Sequence, residues 1–576
     1  MRTLLALISL LTLAPRIDAF TLAKDGQPQC VIHLSADAIP AEKTAAKELA
    51  DYLHQITGAT FEIKSEVNPA QSSIEIGATK STRELLPDVK WDSLAPDTII
   101  LRADDKRLIL AGARPRGTLY AVYTLLEDHL GVRWWTHNES FVPSRPSLEI
   151  AKLVHDHSPR FQYRESYHWH LTGDHFQTAV RFKVNGHSSQ IPEDWGGHYD
   201  ILGWCHTAFP LLPPRKYFKD HPNFYSMRKD KRSAERTQLC WTNQEMQKEL
   251  ARNALAWIRK NPSAGFISIS QNDWQGFCEC EKCKAIDDAN GGAHAASLLV
   301  GVNAVAADVR KEFPGFLVET LAYQYTRKPP TQVKPADNVL VRLCSIECDF
   351  SHPLSGESNQ TFGDDLRGWS KIAKNLFIWN YVTNFSNYLI PHPNYLPLAE
   401  DLRFFADHNV VGVFEQADCF NQLAGDMLPL RAWVQAHLLW DPSLDQDKLT
   451  DEFLRGYYGP AAPMLRQYLD LINSPAKEAA FRRTCYQGKP DFLSDDMLNE
   501  CGKVFDDAER AVADDQVILQ RVKRERLAVE YVALKRTRPD QNALADFCQR
   551  AKAAGVKHFD EGRDFESYAS EWMQKR

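Results

Sequence analysis

Residues 265–274 read Gly265-Phe266-Ile267-Ser268-Ile269-Ser270-Gln271-Asn272-Asp273-Trp274. A short apolar run gives way abruptly to two amides, a carboxylate and an indole. A buried strand that opens into a polar mouth has this form. The spacing predicts a helix over Gln244–Lys260 before it and another over His294–Phe313 after it, so the local order is helix, strand, helix.

The same alternation extends in both directions. Strand-like runs are Phe161–Ser166, Trp204–Leu211, Phe316–Tyr323, Val339–Ile346, Leu376–Tyr381 and Val411–Phe414. Helical periodicity marks Phe362–Lys374, Tyr395–His408 and Met427–Trp440, and one further early strand is expected near Arg181–Asn185. Alternating strands and helices predict an α/β fold with a parallel sheet covered by helices. The span 159–442 suits the ~250 residues of a (β/α)8 TIM barrel. An open doubly wound sheet is the alternative, but it would normally carry a Gly-rich phosphate loop after its first strand, and none stands there. Residues 20–150 read as a small α+β domain, with helices near Ala41–Leu53 and Gly117–His129 and strands near Ser73–Ile76, Thr98–Arg102 and Arg107–Ala111. Residues 443–576 read as a helical C-terminal domain.

Composition agrees with a folded, multi-domain chain. Of 576 residues 44% are apolar and 25% charged, which excludes a disordered or fibrous protein. The net charge of −7, without a basic block, argues against nucleic acid as a partner. Residues 1–19, with Arg2 ahead of an apolar run from Leu4 to Leu13 and then Ala19, read as a secretory signal peptide. No later segment reaches membrane-spanning length. The first cysteine, Cys30, lies too far along for a lipobox. A periplasmic or secreted protein is therefore expected.

In a barrel the active site lies at the C-terminal ends of the strands. There this chain places Asp273, Glu347, Asp349 and Glu415 as candidate catalytic carboxylates. Beside them stand Trp169, His206, Asn272, Trp274, Tyr323, His352, Trp379, Asn380 and Tyr381 as candidate substrate-binding residues. Sugars need this mixture, since hydroxyls pair with carboxylates and amides while ring faces lie on aromatics. Glycosidic cleavage needs two carboxyl groups, one to protonate the leaving oxygen and one to manage positive charge at the ring carbon. The competing reading of any single carboxylate is a helix cap or an ion pair outside the pocket. Glu319 stands early in its strand and ranks lower.

Cys278, Cys280 and Cys283 form a C-x-C-x-x-C run close after Asp273, and Cys240 precedes them by one loop. Four thiolates would suit a structural zinc. One or two disulfides, which export permits, or reduced buried thiols are the other readings. Either way the cluster would stiffen the loop carrying Asp273. No cofactor is called for in catalysis.

The segment Gly112-Ala113-Arg114-Pro115-Arg116-Gly117-Thr118-Leu119-Tyr120-Ala121-Val122-Tyr123, followed by Gly131-Val132-Arg133-Trp134-Trp135, resembles the N-terminal domain that precedes catalytic barrels in α-glucuronidases and β-hexosaminidases. The barrel resembles the domain of unknown function 4838. The carrying motifs are Ser270-Gln271-Asn272-Asp273 with the cysteine run, Leu321-Ala322-Tyr323, Ile346-Glu347-Cys348-Asp349-Phe350-Ser351-His352-Pro353-Leu354 and Trp379-Asn380-Tyr381. Part of that family is classed as glycoside hydrolase family 163, similar to endo-β-N-acetylglucosaminidases that cut N-glycans. The resemblance implies a retaining, substrate-assisted reaction in which the 2-acetamido oxygen is the nucleophile. Asp273 and Glu347 would share the orienting and acid/base roles, with Asp349 and Glu415 in reserve. An adjacent Asp-Glu pair is absent, its place being taken by Asn272-Asp273.

The expected function is thus an exported glycoside hydrolase acting on N-acetylhexosamine-containing oligo- or polysaccharides. One alternative is an α-glucuronidase-like enzyme on plant polysaccharide, for which Arg164 or Arg342 would hold the acidic sugar. A carbohydrate-binding protein with a degenerate barrel is the other.

Overall fold

The computed structural model describes residues 19–537 and 540–574. The expected signal peptide lies outside the described residues except for Ala19, the first residue of the strand Ala19–Lys24. The chain forms two compact units.

The first unit runs as far as Arg133 and takes in 140–159 and 193–197. Its six-stranded sheet has the order Leu153–His157, Ile99–Ala103, Arg107–Gly112, Ser73–Ile76, Val31–Leu34, Ile63–Lys64. The first three strands are mutually antiparallel and the rest run parallel. The amphipathic helix Pro40–Thr57 starts with proline at its first position and buries Ala45, Leu49, Leu53 and Ile56 at helical spacing. It is an α+β domain, as the periodicity predicts.

The second unit holds a seven-stranded, all-parallel sheet. Its order is Tyr163–Ser166, Val410–Gln416, Asn375–Tyr381, Val339–Cys344, Leu317–Ala322, Phe266–Ser268, Ile201–Leu202. The first strand of the unit pairs with the last, Ser166 opposite Glu415, which is the closure that a (β/α)8 barrel requires. The sheet lacks a ladder only at the second barrel position. There Asn185 donates its backbone N–H to Arg164 O at 2.9 Å and accepts from Tyr199 N at 2.9 Å. The strand expected near Arg181–Asn185 is thus reduced to a short extended segment, bonded on both sides through Asn185.

One expected strand is corrected. The run Trp204–Leu211 is not a strand. The strand ends at Leu202, the chain turns through left-handed Gly203, Trp204 and His206, and Ala208–Leu211 is a helical turn. The sequence carries the reason in Pro210, because a proline inside a central strand removes a ladder donor.

Helices wrap the strands where the 3.6-residue period places them. Gln244–Lys260 buries Met246, Leu250, Ala254 and Ile258, and Asn243 caps it by accepting from Met246 N at 2.9 Å. Leu428–Trp440 is buried on nearly every face, as a helix covered on both sides must be. The C-terminal region is helical, from Gln446–Tyr458 to Phe565–Gln574, interrupted by the hairpin His558–Asp560 and Arg563–Asp564. No helix among the described residues is long and apolar enough to cross a membrane.

Candidate active site

The strand exits of the second unit open into a cavity of about 340 Å³. Its carboxylates are Asp273 and Glu561, and its aromatic wall includes Trp204, Trp379, Tyr381 and Phe414. Among the described residues that line it, none is Lys or Arg.

Asp273 projects from the loop after Phe266–Ser268. The Tyr323 hydroxyl donates to its Oδ1 at 2.9 Å, and His206 Nε2 lies 3.8 Å from the same oxygen. His206 Nδ1 stands 2.8 Å from the Gln271 carbonyl, which can only accept, so Nδ1 carries the proton and Nε2 faces Asp273. The Asp273 side chain remains 59% exposed and so open to a ligand. Burial, then the Asp273 charge, pushes the Tyr323 phenol well above its ordinary pKa, so it stays a donor.

Glu561 comes from the C-terminal hairpin. It accepts from Tyr486 Oη at 3.1 Å, and its own N–H donates to Phe385 O at 3.0 Å. Burial, then Glu561, raises the Tyr486 phenol, and the Asp273 charge acts in the same direction. The two carboxylates therefore act on one phenol from the same cavity.

The wall is an aromatic cluster braced from beneath. Trp204 and Trp379 lie 5.6 Å apart, and each meets Phe414 edge-on at 5.0 Å. Trp379 Nε1 donates to Gln416 Oε1 at 2.7 Å, which fixes the indole. Under both indoles sits the buried Arg342 guanidinium, 4.6 Å from the Trp204 ring and 5.3 Å from that of Trp379. Its charge is balanced by Glu319 at 3.2 Å. Burial raises the Glu319 carboxyl against the lowering pull of Arg342.

Comparison with known proteins places the chain in a family. The family model described as domain of unknown function (DUF4838) matches residues 134–470, more than half of the sequence. The chain belongs to the DUF4838 family. A second model, the glycosyl hydrolase family 67 N-terminus, matches residues 21–125. No curated protein sequence matches the chain. Among solved structures it is similar in fold to a family GH115 4-O-methyl-α-glucuronidase, BtGH115A, described as specific for decorated arabinogalactans. The identity is 12% and the TM-score 0.58, over 93% of this chain and 76% of that one. Two further matches, CpGH84B and CpGH84D, have TM-scores of 0.46 and 0.49 at 12% and 10% identity, each over 97% of both chains.

In this DUF4838 protein the cavity brings together Asp273, His206, Tyr323, Trp379 and Tyr381 of the sequence candidates. The others stand elsewhere. Glu347 is 48% exposed and pairs with Arg327 at 2.9 Å, while Arg327 also holds Asp365 at 2.8 Å. Asp349 is buried in its own loop, accepting from His352 Nδ1 at 2.7 Å, Ser351 N at 3.1 Å and Arg483 N at 3.0 Å. Burial pushes its carboxyl up, but the Ser351 hydroxyl, which donates to Oδ1 at 2.5 Å, together with these hydrogen bonds outweighs it and leaves the pKa below the ordinary value. Glu415 is buried behind the wall, accepting from Asn380 Nδ2 at 3.0 Å; Asn380 in turn accepts from Ser345 Oγ at 2.7 Å. Burial raises Glu415 to about 8. Asn272 and Trp274 brace the Asp273 loop, both donating to Thr237 O, at 2.9 and 2.7 Å. Trp169 packs against His175, with ring centroids 4.1 Å apart. Arg164 donates to Phe161 O at 2.6 Å and Lys183 O at 2.8 Å, so it too stands outside the cavity.

Glu561, Tyr486 and Trp204 line the cavity although they are not among the site residues expected from the sequence. Glu561 and Tyr486 reach the barrel mouth from far along the chain, and no local pattern announces them. Gln416 was legible, since it directly follows Glu415 at a strand exit.

Proposed function

We propose that this cavity is the active site of a glycoside hydrolase acting on a neutral, N-acetylhexosamine-containing glycan. The observation that carries the reading is the lining itself: two carboxylates, Asp273 and Glu561, beside an indole and phenol wall, with no Lys or Arg among its described residues. A uronic acid would meet like charge there and no cation to offset it. A neutral ring can lie on Trp204 or Trp379 while carboxylates and hydroxyls take its polar groups.

In the proposed reaction Asp273, held by Tyr323 and facing His206, accepts the N–H of the 2-acetamido group. This orients the acetamido oxygen toward the anomeric carbon. Glu561 gives its proton to the leaving glycosidic oxygen as that bond breaks and the acetamido oxygen bonds to the carbon, forming an oxazoline-type ring. Water then attacks the same carbon, the ring opens, and the water's proton returns to Glu561. Two displacements leave the configuration retained. Glu561 thus takes the acid/base position expected for Glu347, because Glu347 is engaged by Arg327 and does not line the cavity.

An α-glucuronidase is the second reading, favoured by the family 67 match over residues 21–125. Products from a panel of aryl glycosides, N-glycoproteins and glucuronoyl polysaccharides, read by mass, separate the two. Release from N-acetylhexosamine substrates supports the proposal, and release of uronic acid alone overturns it. Ligand binding without any turnover would indicate a binding protein. Export is part of the proposal and rests on the Arg2, Leu4–Leu13 and Ala19 pattern.

A further inference from the structure

Outside the cavity, Cys240, Cys278, Cys280 and Cys283 converge. All four are buried, their sulfurs lie within 4.8 Å of one another, and none is in a disulfide. Cys240 Sγ is 3.7 Å from Cys280 Sγ and 3.9 Å from Cys283 Sγ. A disulfide would bring two sulfurs to about 2.05 Å. A tetrahedron of thiolates around zinc, with Zn–S near 2.3 Å, has edges of about 3.8 Å. The two separations from Cys240 match those edges, and the others lie within 4.8 Å.

The surroundings suit thiolates rather than thiols packed as small apolar groups. Met227 N–H donates to Cys278 Sγ at 3.3 Å, and Arg232 Nη1 approaches the same sulfur at 3.6 Å. Thr242 Oγ1 lies 3.1 Å from Cys283 Sγ. One backbone N–H, one guanidinium and a hydroxyl offset part of the negative charge that four thiolates around a divalent cation leave behind. The chain arrives from three directions: the strand pair Met227–Arg228 and Lys231–Arg232, the segment at Cys240, and the loop that ends in the helix Glu281–Ala289.

We propose that Cys240, Cys278, Cys280 and Cys283 bind one zinc ion as four thiolates, and that the ion clamps the loop carrying Asp273. The clamp acts through short connections. Cys278 follows Asp273 by five residues. On either side of Asp273, Gln238 Nε2 donates to Asn272 O at 3.1 Å and to Trp274 O at 2.6 Å, tying the loop to the segment that holds Cys240. All four coordination positions are taken by protein, so the ion is structural and has no open position for substrate. The site stands on the sulfur geometry alone and does not depend on which reaction the cavity performs.

The test is metal analysis of the full-length chain, purified without chelator, incubated with excess zinc and dialysed. One zinc per chain is expected. Titrating the thiols with a mercurial should release that zinc, detected by a chromogenic chelator, as the four cysteines react. Growth in cobalt should give the visible absorption of tetrahedral thiolate-bound Co(II). Cys280→Ser should lose at least tenfold in bound zinc, whereas Cys501→Ser, a cysteine outside the cluster, should keep the full amount. Because a ligand variant can misfold, the mercurial release and the cobalt spectrum on the wild-type chain decide independently. Zinc below one fifth per chain, equimolar iron instead, or intact masses showing disulfides among these four cysteines would each overturn the assignment.

Discussion

Replacing Glu415 by Gln should make the protein more stable than wild type at alkaline pH and leave it nearly unchanged near pH 5. Glu415 is fully buried at a strand exit, and its carboxyl is raised from 4.5 to about 8 because burial penalises the charged form more than the Asn380 hydrogen bond helps it. The folded state therefore holds a proton that the unfolded chain gives up above pH 4.5. Stability from this group is fully present below pH 4.5 and is lost as pH rises through about 8. At 1.36 kcal/mol per unit, the loss is on the order of 3–5 kcal/mol. Gln is neutral throughout and keeps an oxygen for Asn380, so the variant escapes this loss. Other groups titrate too. His168 and His392, held near 3 by burial, contribute stability that is lost as pH falls from 6.5. They are common to both proteins, so they cancel in the difference between variant and wild type, which reports Glu415 together with Asp401, a buried carboxyl that the Glu415 charge also raises. Urea midpoints measured from pH 5 to pH 9 give that difference directly. A difference that stays constant across the range would mean that the folded state does not hold Glu415 protonated above pH 4.5.

Four further outcomes follow from the geometry. Gly276 has φ +90°, and a Cβ there would meet Arg236 O at 2.5 Å; Gly276→Ala should cost about 1–3 kcal/mol in urea unfolding. Trp204→Ala and Trp379→Ala should each raise KM for a glycan about tenfold, or about 1.4 kcal/mol of binding, with a smaller effect on kcat. Glu347→Gln should leave kcat within about twofold and stability within about 1 kcal/mol, since it removes only a half-exposed ion pair. Glu561→Gln should cut kcat by about 10²–10⁴-fold, the usual share of a general acid, whereas equal activity would remove Glu561 from the reaction.

Much of the fold is legible in the sequence because apolar period and strand–helix alternation are local properties. Val339–Cys344 and Asn375–Tyr381 stand where their apolar runs place them. The run at Trp204–Leu211 misleads because its apolar residues serve two purposes, an indole in the cavity and a helical turn beyond it. Three residues of the four from Gly203 to His206 adopt left-handed conformations, and for Trp204 and His206 nothing in residue type signals that. The candidate site is half legible for a similar reason. Asp273, Tyr323 and Trp379 follow from strand exits alone. Glu347 and Asp349 occupy an exit too, but after Cys344 the chain leaves the strand, and Arg327 and the 483 segment take up the two carboxylates. Glu561 enters from the C-terminal hairpin, more than 280 residues from Asp273 in sequence. Such a convergence is a property of the tertiary fold.

In the proposed reaction Asp273 works on an N-acetylhexosamine glycan in this cavity. The direct measurement is the rate of product release from an N-glycoprotein by wild type and by Asp273→Asn, with folding of both checked by thermal melting. Wild type should release an N-acetylhexosamine-ended product, and the variant should lose about 10²–10⁴-fold in rate at an unchanged melting temperature. Full activity in Asp273→Asn, or activity of the wild type on uronic acid substrates alone, would contradict that reaction.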